Sequence, residues 1–227
     1  MLSNAAETLV IAAHPDDEVL GVGGTIPLLR QAGANVTVLV VTDGSSTQYR
    51  GDDAVLERKR DQMRLANERM GTTRVLQWAF PDMRLDTVPH HELNDAFEAF
   101  ILEHRFDTLF VHGDSDINLD HRMIFRSAMV AARPRPGQPI RHVLTYHVNS
   151  STEWGGIATG QLFAPNLYVD IGATIDTKLH AMEAYTDELR TPPHPRSIAA
   201  LRSRAAVSGG EVGVDFAEPF RLVWSLL

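Results

Sequence analysis

Short apolar runs alternate with segments of helical periodicity along most of the chain, and this alternation limits the folds that it can adopt. The apolar runs are typical of buried strands. They lie at residues 8–13, 36–42, 74–80, 108–112, 141–149 and 167–171. Helices are predicted at 18–31, 54–70, 90–104, 120–132 and 174–189, with a less regular tail after residue 191. The pattern favours a Rossmann-like, doubly wound α/β fold with a mostly parallel sheet and helices on both faces.

The length and the absence of cysteine narrow the organisation and the chemistry. The chain has 227 residues and no cysteine. A length of this order fits one α/β domain, and no repeat or linker interrupts it, so we expect residues 1–227 to form a single domain. Without cysteine there are no disulfides, and any metal ion must be bound by histidines and carboxylates.

The charge and the N-terminal sequence exclude other classes of partner. The formal net charge is −8 and no basic stripe is present, which argues against a nucleic-acid partner. The first seven residues contain neither a basic segment nor a long apolar stretch, and no apolar run of membrane-spanning length follows. We therefore expect a cytoplasmic location and no membrane partner.

A short acidic motif, His14-Pro15-Asp16-Asp17-Glu18, follows the first predicted strand. It lies at the carboxyl edge of the sheet, where ligands bind in this fold. His14 and Asp17 can turn towards one cation, which leaves Asp16 free to act on a water molecule bound to the metal. The alternative is a simple acidic helix start, because negative charge is favoured there. The histidine, the proline and the position favour the metal site.

Three glycines after this motif, Gly21, Gly23 and Gly24, suggest a dinucleotide-binding loop as an alternative. Their spacing is G-x-G-G rather than G-x-G-x-x-G, and the acidic residues before them would repel a pyrophosphate. Close packing of the helix on the sheet explains these glycines better. An oxidoreductase of the Rossmann type is therefore disfavoured.

A second cluster of histidines and acidic residues follows the fourth predicted strand, at residues 112–121. A solvated polar loop is the alternative, because Asp, Ser and Asn are common in turns. With His14 and Asp17, however, His121 would complete a site of two histidines and one carboxylate, with a position left open for water. Such a site lowers the pKa of the water and polarises a carbonyl.

The two clusters together resemble the motifs of the PIG-L/LmbE-like zinc-dependent N-deacetylases. The resemblance rests on the motif at 14–18 with Gly21 and Gly24, and on Asp120-His121. Softer similarities extend it over nearly the whole chain, at residues 80–82, 151–154, 194–197 and 217–220.

The resemblance implies a hydrolase that removes an N-acetyl group from an amino sugar or small glycoconjugate. It implies one Zn²⁺ per chain on His14, Asp17 and His121, with Asp16 as the general base towards zinc-bound water. Other divalent metals fit the same ligand types. Two alternatives stay open: a zinc amidase acting on a thiol–sugar conjugate, and a non-catalytic sugar-binding module. Asp16 argues against the second, because binding alone needs no spare base.

One departure from the family pattern affects proton delivery. Asn118 stands where many members carry a histidine that is assigned to the oxyanion or to proton donation. An amide can donate a hydrogen bond to an oxyanion but cannot deliver a proton. The proton for the leaving amine must then come from Asp16 or from another residue. His194 is our candidate because histidine titrates near neutral pH; the alternative is a surface turn between prolines.

Substrate contacts are predicted at three further residues. Lys59 stands where many relatives have an arginine that faces the substrate, which leaves contact from this helix an open question. Asp82 follows the third strand and is predicted to face substrate hydroxyls, with a turn initiator as the alternative. Trp154 lies in a segment long enough to cover the site, where it either stacks on a sugar face or fills the core.

Two residues are expected to orient the site, and the loops are expected to set its specificity. His112 can orient Asp116 or Asp120, and Asp120, next to His121, is the more natural orienting partner. The expected partner is an N-acetylated sugar or glycoconjugate, recognised by loops 43–53, 81–88 and 149–166. A symmetric homo-oligomer is compatible with a chain of this kind.

Overall fold

Seven strands of the described residues form one sheet. The structure is a computed structural model that describes residues 5–44 and 52–227, so most of the predicted specificity loop 43–53 lies outside the described residues. The strands are β1 (Glu7–Ala12), β2 (Asn35–Thr42), β3 (Arg74–Phe80), β4 (Thr108–His112), β5 (His142–Tyr146), β6 (Leu167–Asp170) and β7 (Ala217–Ser225). Their order in the sheet is β3-β2-β1-β4-β5-β7-β6.

Helices connect most of these strands. They are α1 (Asp17–Val22), α2 (Thr25–Gln31), α3 (Asp53–Met70), α4 (His90–His104), α5 (Leu119–Ala131), α6 (Thr152–Thr159), α7 (Ile175–Met182) and α8 (Ile198–Gly210). A 3₁₀ turn spans Leu85–Thr87. Within the described ranges, no helix combines the length and the apolar character needed to cross a membrane.

The sheet is doubly wound and mostly parallel, as predicted. β1 pairs in parallel with β2 on one side and with β4 on the other, and β3 and β5 continue the two halves in the same direction. β7 is the exception, because it pairs antiparallel with both β5 and β6. The predicted fold class is confirmed, whereas the irregular tail is wrong: residues 198–210 form α8 and residues 217–225 form β7.

The strand β1 shows why the sheet is covered on both faces. Val10 and Ala12 belong to one buried cluster, and Leu9 and Ile11 belong to the other. This alternation follows from the two-residue period of a strand. Helices α1, α2, α3, α7 and α8 cover the first face, whereas α4 and α5 cover the second. Because the side chains of β1 are buried in both clusters, the start of the turn that follows β1 is held in place.

The helix predicted at 18–31 is in fact two helices. The carboxylate of Glu218 accepts hydrogen bonds from the backbone N–H groups of Gly24 and Thr25, each at 2.8 Å. These bonds begin α2 as a separate helix, since they satisfy N–H groups at its start. Gly21 packs against β5, because a Cβ there would lie 2.1 Å from Cδ2 of Tyr146. Helix packing therefore accounts for this glycine.

Two further boundaries differ from the prediction. Residues 152–159 form α6, where an irregular segment was expected. Gly155 allows this helix to lie on the loop after β4, because a Cβ there would meet the carbonyl oxygen of Ser115 at 1.8 Å. Helix α7 ends at Met182, not at Leu189. The segment after it runs towards the carboxyl edge of the sheet.

Candidate active site

The site forms where the sheet changes its winding direction. β1 and β4 are neighbours, but the chain reaches β4 only after it has built β2 and β3 on the other side. This switch point opens a crevice at the carboxyl ends of the strands. His14 follows β1, and His121 lies in the first turn of α5 after β4. The topology therefore brings the two predicted clusters together.

The turn after β1 directs two adjacent carboxylates to different partners. The backbone N–H of His14 donates to Oδ2 of Asp17 at 2.9 Å, which closes the turn. Asp16 has φ 116°, a left-handed conformation that is unusual for a residue other than glycine. Such strained backbone is found where a particular side-chain direction is required. The carboxylate of Asp17 reaches the histidines, whereas that of Asp16 reaches Arg196.

Three candidate metal ligands converge on one point. Oδ2 of Asp17 lies 3.4 Å from Nδ1 of His14 and 3.4 Å from Nε2 of His121. Ligands about 2.0–2.1 Å from a zinc ion in a tetrahedral site lie about 3.3–3.4 Å from one another. Among the described residues, Nε2 of His121 is buried and has no hydrogen-bond partner. The donor set and its spacing therefore fit a zinc ion.

The other nitrogen of each of these histidines faces a carboxylate. Nε2 of His14 lies 3.2 Å from Oδ2 of Asp120, and Nδ1 of His121 lies 3.1 Å from Oδ2 of Asp116. Such carboxylates fix the tautomer and the ring orientation of metal-binding histidines. Asp120, predicted as an orienting residue, faces His14 and not the adjacent His121, because the turn into α5 directs it there. Asp116 takes the predicted place.

A second group of residues could also hold a cation. His14, Asp82 and Asp120 offer ligand atoms within 4.8 Å of one another. Asp120, however, already accepts hydrogen bonds from the backbone N–H groups of Met83 and Leu85, at 2.8 and 3.0 Å. Asp120 therefore holds the loop after β3 in place through these two bonds. The set with His121 therefore has the stronger geometric support.

His112 has a different role from the one predicted. It accepts a hydrogen bond from the backbone N–H of Ala13 at 2.9 Å, and the hydroxyl of Tyr146 lies 3.1 Å from the same nitrogen. Its ring stacks on that of His121, with centroids 3.9 Å apart. His112 therefore supports the turn after β1 and the ring of His121; it is not placed to orient Asp120. The same nitrogen, Nε2, also lies 3.5 Å from Oδ2 of Asp17, so His112 borders the candidate ligands directly.

The charges of the site favour a bound cation. Burial opposes protonation of His121, yet the carboxylates of Asp17 and Asp116 raise its pKa to about 9. Burial likewise opposes protonation of His14, but Asp120 and Asp17 raise its pKa well above the usual value. Burial alone would raise the pKa of Asp17. The imidazoles of His121 and His112 nevertheless hold it well below its usual range. Negative charge thus dominates this cluster, and it stabilises either protons or a metal ion.

The carboxylate of Asp16 lies beside the ligands but bonds elsewhere. Its Oδ2 accepts a hydrogen bond from Nη1 of Arg196 at 3.0 Å. Burial and the neighbouring Asp17 raise the pKa of Asp16 well above its usual value, and Arg196 opposes this shift. The carboxylate also lines the cavity in front of the ligands. It is therefore placed where a base can act on a molecule in that cavity.

The cavity at this edge contains most of the predicted site residues. It encloses about 180 Å³ and is lined by the three candidate ligands and by Asp16. The predicted residues Lys59, Asp82 and Asn118 also line it. Asn118 accepts a hydrogen bond from the backbone N–H of Asp120 through Oδ1, which caps α5. Its amide nitrogen remains the group that can donate to a ligand.

Two residues that were predicted to act on the substrate, Trp154 and His194, lie away from the lining of the cavity. Trp154 is 56% exposed on α6 and does not fill the core. His194 is only half-buried, and its Nδ1 accepts a hydrogen bond from the backbone N–H of Arg196 at 3.0 Å. Neither residue is among those that the structure places on the cavity wall. His194 supports the loop that carries Arg196, which leaves no geometric basis for it as a proton donor.

Reasoning from sequence gave no individual role to several lining residues, among them Asn149, Glu188 and Arg196. They come from segments that follow β5 and α7 and have no motif spacing relative to the metal ligands. The family similarity at 194–197 includes Arg196, but the role predicted for that segment was assigned to His194. Glu188 lay inside a predicted helix and had no signal.

A family comparison agrees with this geometry. The model of the PIG-L family, described as GlcNAc-PI de-N-acetylase, matches residues 9–132, more than half of the chain. The chain belongs to the PIG-L family. The matched span contains the candidate ligands His14, Asp17 and His121 and the adjacent carboxylate of Asp16. The wall that contributes Asn149, Glu188 and Arg196 lies beyond it.

Two curated relatives of this PIG-L protein carry deacetylase names. It is 30% identical over 136 residues to "Uncharacterized deacetylase YaiS" of Escherichia coli, a match that covers 56% of this chain and 69% of the relative. It is 25% identical over 189 residues to "Probable N-acetyl-alpha-D-glucosaminyl L-malate deacetylase 2" of Bacillus cereus, with 79% and 82% covered. The chain is thus related to deacetylases over most of its length.

Solved structures share the fold of this PIG-L protein at lower identity. The N,N'-diacetylchitobiose deacetylase from Pyrococcus horikoshii matches with a TM-score of 0.80 at 22% identity, covering 98% of this chain and 85% of that one. GalB, a 4-carboxy-2-hydroxymuconate hydratase from Pseudomonas putida, matches with 0.76 at 18% identity, covering 98% of both. Because a hydratase also has this fold, the fold alone does not decide the reaction.

Proposed function

We propose that this protein is a zinc-dependent hydrolase that removes an N-acetyl group from an amino sugar or a small glycoconjugate. The observation that carries the proposal is the convergence of His14, Asp17 and His121 at the mutual spacing of zinc ligands, with the separate carboxylate of Asp16 on the same cavity. The family match supports the reaction type. The relatives named as deacetylases of N-acetylated sugars support the substrate class.

The site residues have distinct tasks in this proposal. His14, Asp17 and His121 would hold the zinc ion, which when bound would supply Lewis acidity and lower the pKa of a water molecule. Asp16 removes a proton from the attacking water and returns it to the nitrogen of the leaving amine. The products are acetic acid, which keeps the second proton of the water and ionises in solution, and the free amine, so atoms and protons balance. The amide nitrogen of Asn118 donates a hydrogen bond to the oxyanion that forms on the carbonyl.

The cavity wall would bind the sugar. Asp82 and Lys59 line the cavity near the ligands and offer charged groups to substrate hydroxyls. Ser150 and Ser151 line it from the segment before α6. Several polar groups around a small cavity suit a hydroxyl-rich substrate, because each hydroxyl needs a hydrogen-bond partner when water is displaced.

Acetate release is the direct test. The probes are N-acetylglucosamine, N,N'-diacetylchitobiose and an N-acetylglucosaminyl malate, each with metal-free and zinc-loaded protein. We expect zinc-dependent release from at least one probe and a loss of about 100-fold or more in Asp16→Asn. Release from a thiol–sugar conjugate alone would favour the amidase alternative. Full turnover in Asp16→Asn would contradict the role of Asp16, and binding without turnover would favour a sugar-binding module.

A further inference from the structure

A chain of alternating charges runs along the cavity from Asp16 to α3. Nη1 of Arg196 donates to Oδ2 of Asp16 at 3.0 Å and to Oε2 of Glu188 at 2.8 Å. Nζ of Lys59 donates to the other oxygen of Glu188 at 2.9 Å. All four side chains line the cavity, and all four are buried or half-buried. Each of these four charged side chains thus has an opposite charge beside it.

The backbone around Arg196 is held on several sides. Its N–H donates to Nδ1 of His194 at 3.0 Å, and its carbonyl accepts from the backbone N–H of Arg190 at 3.3 Å. The carbonyl of the preceding Pro195 accepts from Nδ2 of Asn149 at 3.1 Å. This loop is therefore fastened both to itself and to the segment after β5. Because the backbone of Arg196 is already held in place, less entropy is lost when its side chain is ordered.

Helix α3 fastens the segment that carries Glu188. Arg58 donates to the carboxylate of Asp187 at 2.8 Å, and Gln62 donates to the hydroxyl of Thr186 at 2.9 Å. Together with the bond from Lys59 to Glu188, three consecutive residues of the segment are bound to one helix. Lys59, which stands where many relatives have an arginine, and Gln62 both contact the segment after α7. The lysine that differs from the family pattern therefore contacts Glu188, which in turn binds Arg196.

We infer that Arg196 is a positioning residue that holds the carboxylate of Asp16 in its working orientation, and that Glu188 holds Arg196. The inference rests on the proposed function, in which Asp16 is the base. The backbone of Asp16 is strained at φ 116°, and among the described residues Arg196 donates a hydrogen bond to Oδ2 of its carboxylate. A charged N–H···O bond is short and directional, so it fixes a carboxylate better than solvent does.

Kinetics of Arg196 variants test the inference. In Arg196→Met we expect kcat to fall about 10- to 100-fold, because a base displaced by about 1 Å loses that much rate. KM should change less than about threefold, since uniform binding of the substrate is untouched. Arg196→Lys should recover part of kcat, and Glu188→Gln should lose less than Arg196→Met. Arg202→Met, an exposed arginine that pairs with Asp176, is the matched control and should behave as wild type.

A double variant separates positioning from an independent role. In an Asp16→Asn background, adding Arg196→Met should cause no further loss, because the two residues act as one unit. An additive loss would overturn the inference, and so would a raised KM with unchanged kcat, which would make Arg196 a substrate-binding residue. If Asp16→Asn is inactive but Arg196→Met keeps full kcat, the proposed function stands and the inference fails. If Asp16→Asn is fully active, the proposed function itself fails.

A structural measurement needs no substrate. A crystal structure of zinc-loaded Arg196→Met should show normal zinc occupancy and the carboxylate of Asp16 rotated away from its wild-type position. Zinc content is the internal control. Among the described residues, the Arg196 side chain donates hydrogen bonds to Asp16 and Glu188 and to none of the three candidate ligands. An unchanged Asp16 carboxylate at full zinc occupancy would overturn the inference.

Discussion

The two walls of the cavity are built in different ways. The ligand wall consists of residues at the carboxyl ends of parallel strands and at the start of α5: His14, Asp17, Asp82, Asn118 and His121. The C-terminal wall consists of residues in the segments after β5 and after α7: Val148, Asn149, Ser150, Glu188 and Arg196. Sheet topology places the first wall and, through β5, residues 148–150 of the second, whereas side-chain hydrogen bonds between distant segments place Glu188 and Arg196. The comparison shows that one site can combine a wall fixed by the fold with a wall fixed by individual contacts.

The largest effect is expected in the ligand wall. In His121→Gln the zinc content should fall from about one ion per chain to near zero, since a site of this kind needs three protein ligands. Deacetylation should fall about 1000-fold or more as the metal chemistry is lost. His142→Gln is the control, because His142 is buried at the other end of β5, beside Ser225. Metal analysis and acetate release check both; full zinc content in His121→Gln would contradict the ligand set.

A smaller effect is expected at Asp116, which joins the two walls. Its carboxylate faces Nδ1 of His121 and accepts hydrogen bonds from the hydroxyls of Ser151 and Thr152. In Asp116→Asn we expect zinc affinity to fall about 10- to 100-fold, as for other carboxylates behind a metal-binding histidine. Competition with a chelator measures this change. Asp176→Asn, an exposed aspartate on α7, serves as the control, and equal affinities in the two variants would contradict the link.

The smallest effect is expected under the C-terminal wall, at His147. Burial lowers its pKa from 6.5 to about 3, so the folded protein keeps this imidazole neutral. The unfolded chain binds a proton below pH 6.5 and the folded chain does not, so stability falls as the pH drops from 6.5 towards 3. Between pH 7 and pH 5.5 the loss should be about 1 kcal/mol. Urea unfolding should show that His147→Gln lacks this part of the pH dependence.

Zinc content measured in the same His147 variant tests whether this residue affects the ligand wall. His147→Gln should leave zinc content unchanged, because its ring lies beside Phe163 and Glu153 and not beside the ligands. A pH dependence identical to that of wild type would show that His147 is protonated in the folded protein.

The sequence predicted the ligand wall because strand order and motif position carry the information. Two clusters after two apolar runs must meet if the runs are adjacent parallel strands, and the pairing of β1 with β4 brings His14 and His121 together. The fold class followed from the same alternation. The partner of His121 could not be read in this way. The carboxylate that faces it belongs to Asp116, five positions earlier, and not to the adjacent Asp120, which the turn into α5 directs towards His14.

The C-terminal wall could not be predicted because its contacts span long stretches of sequence. The bond between Asp16 and Arg196 joins residues 180 positions apart, and that between Lys59 and Glu188 joins residues 129 apart. No local period or turn signal encodes such pairs. The proline-flanked His194 was the visible feature of the tail, whereas the side chain that lines the cavity is that of Arg196, whose backbone N–H bonds to His194.

Anomalous diffraction from a crystal of the zinc-loaded protein tests the central claim most directly. The account predicts one zinc peak about 2.0–2.2 Å from Nδ1 of His14, Nε2 of His121 and the carboxylate of Asp17. A peak between Nε2 of His14 and the carboxylates of Asp82 and Asp120, or no peak at this edge of the sheet, would contradict it.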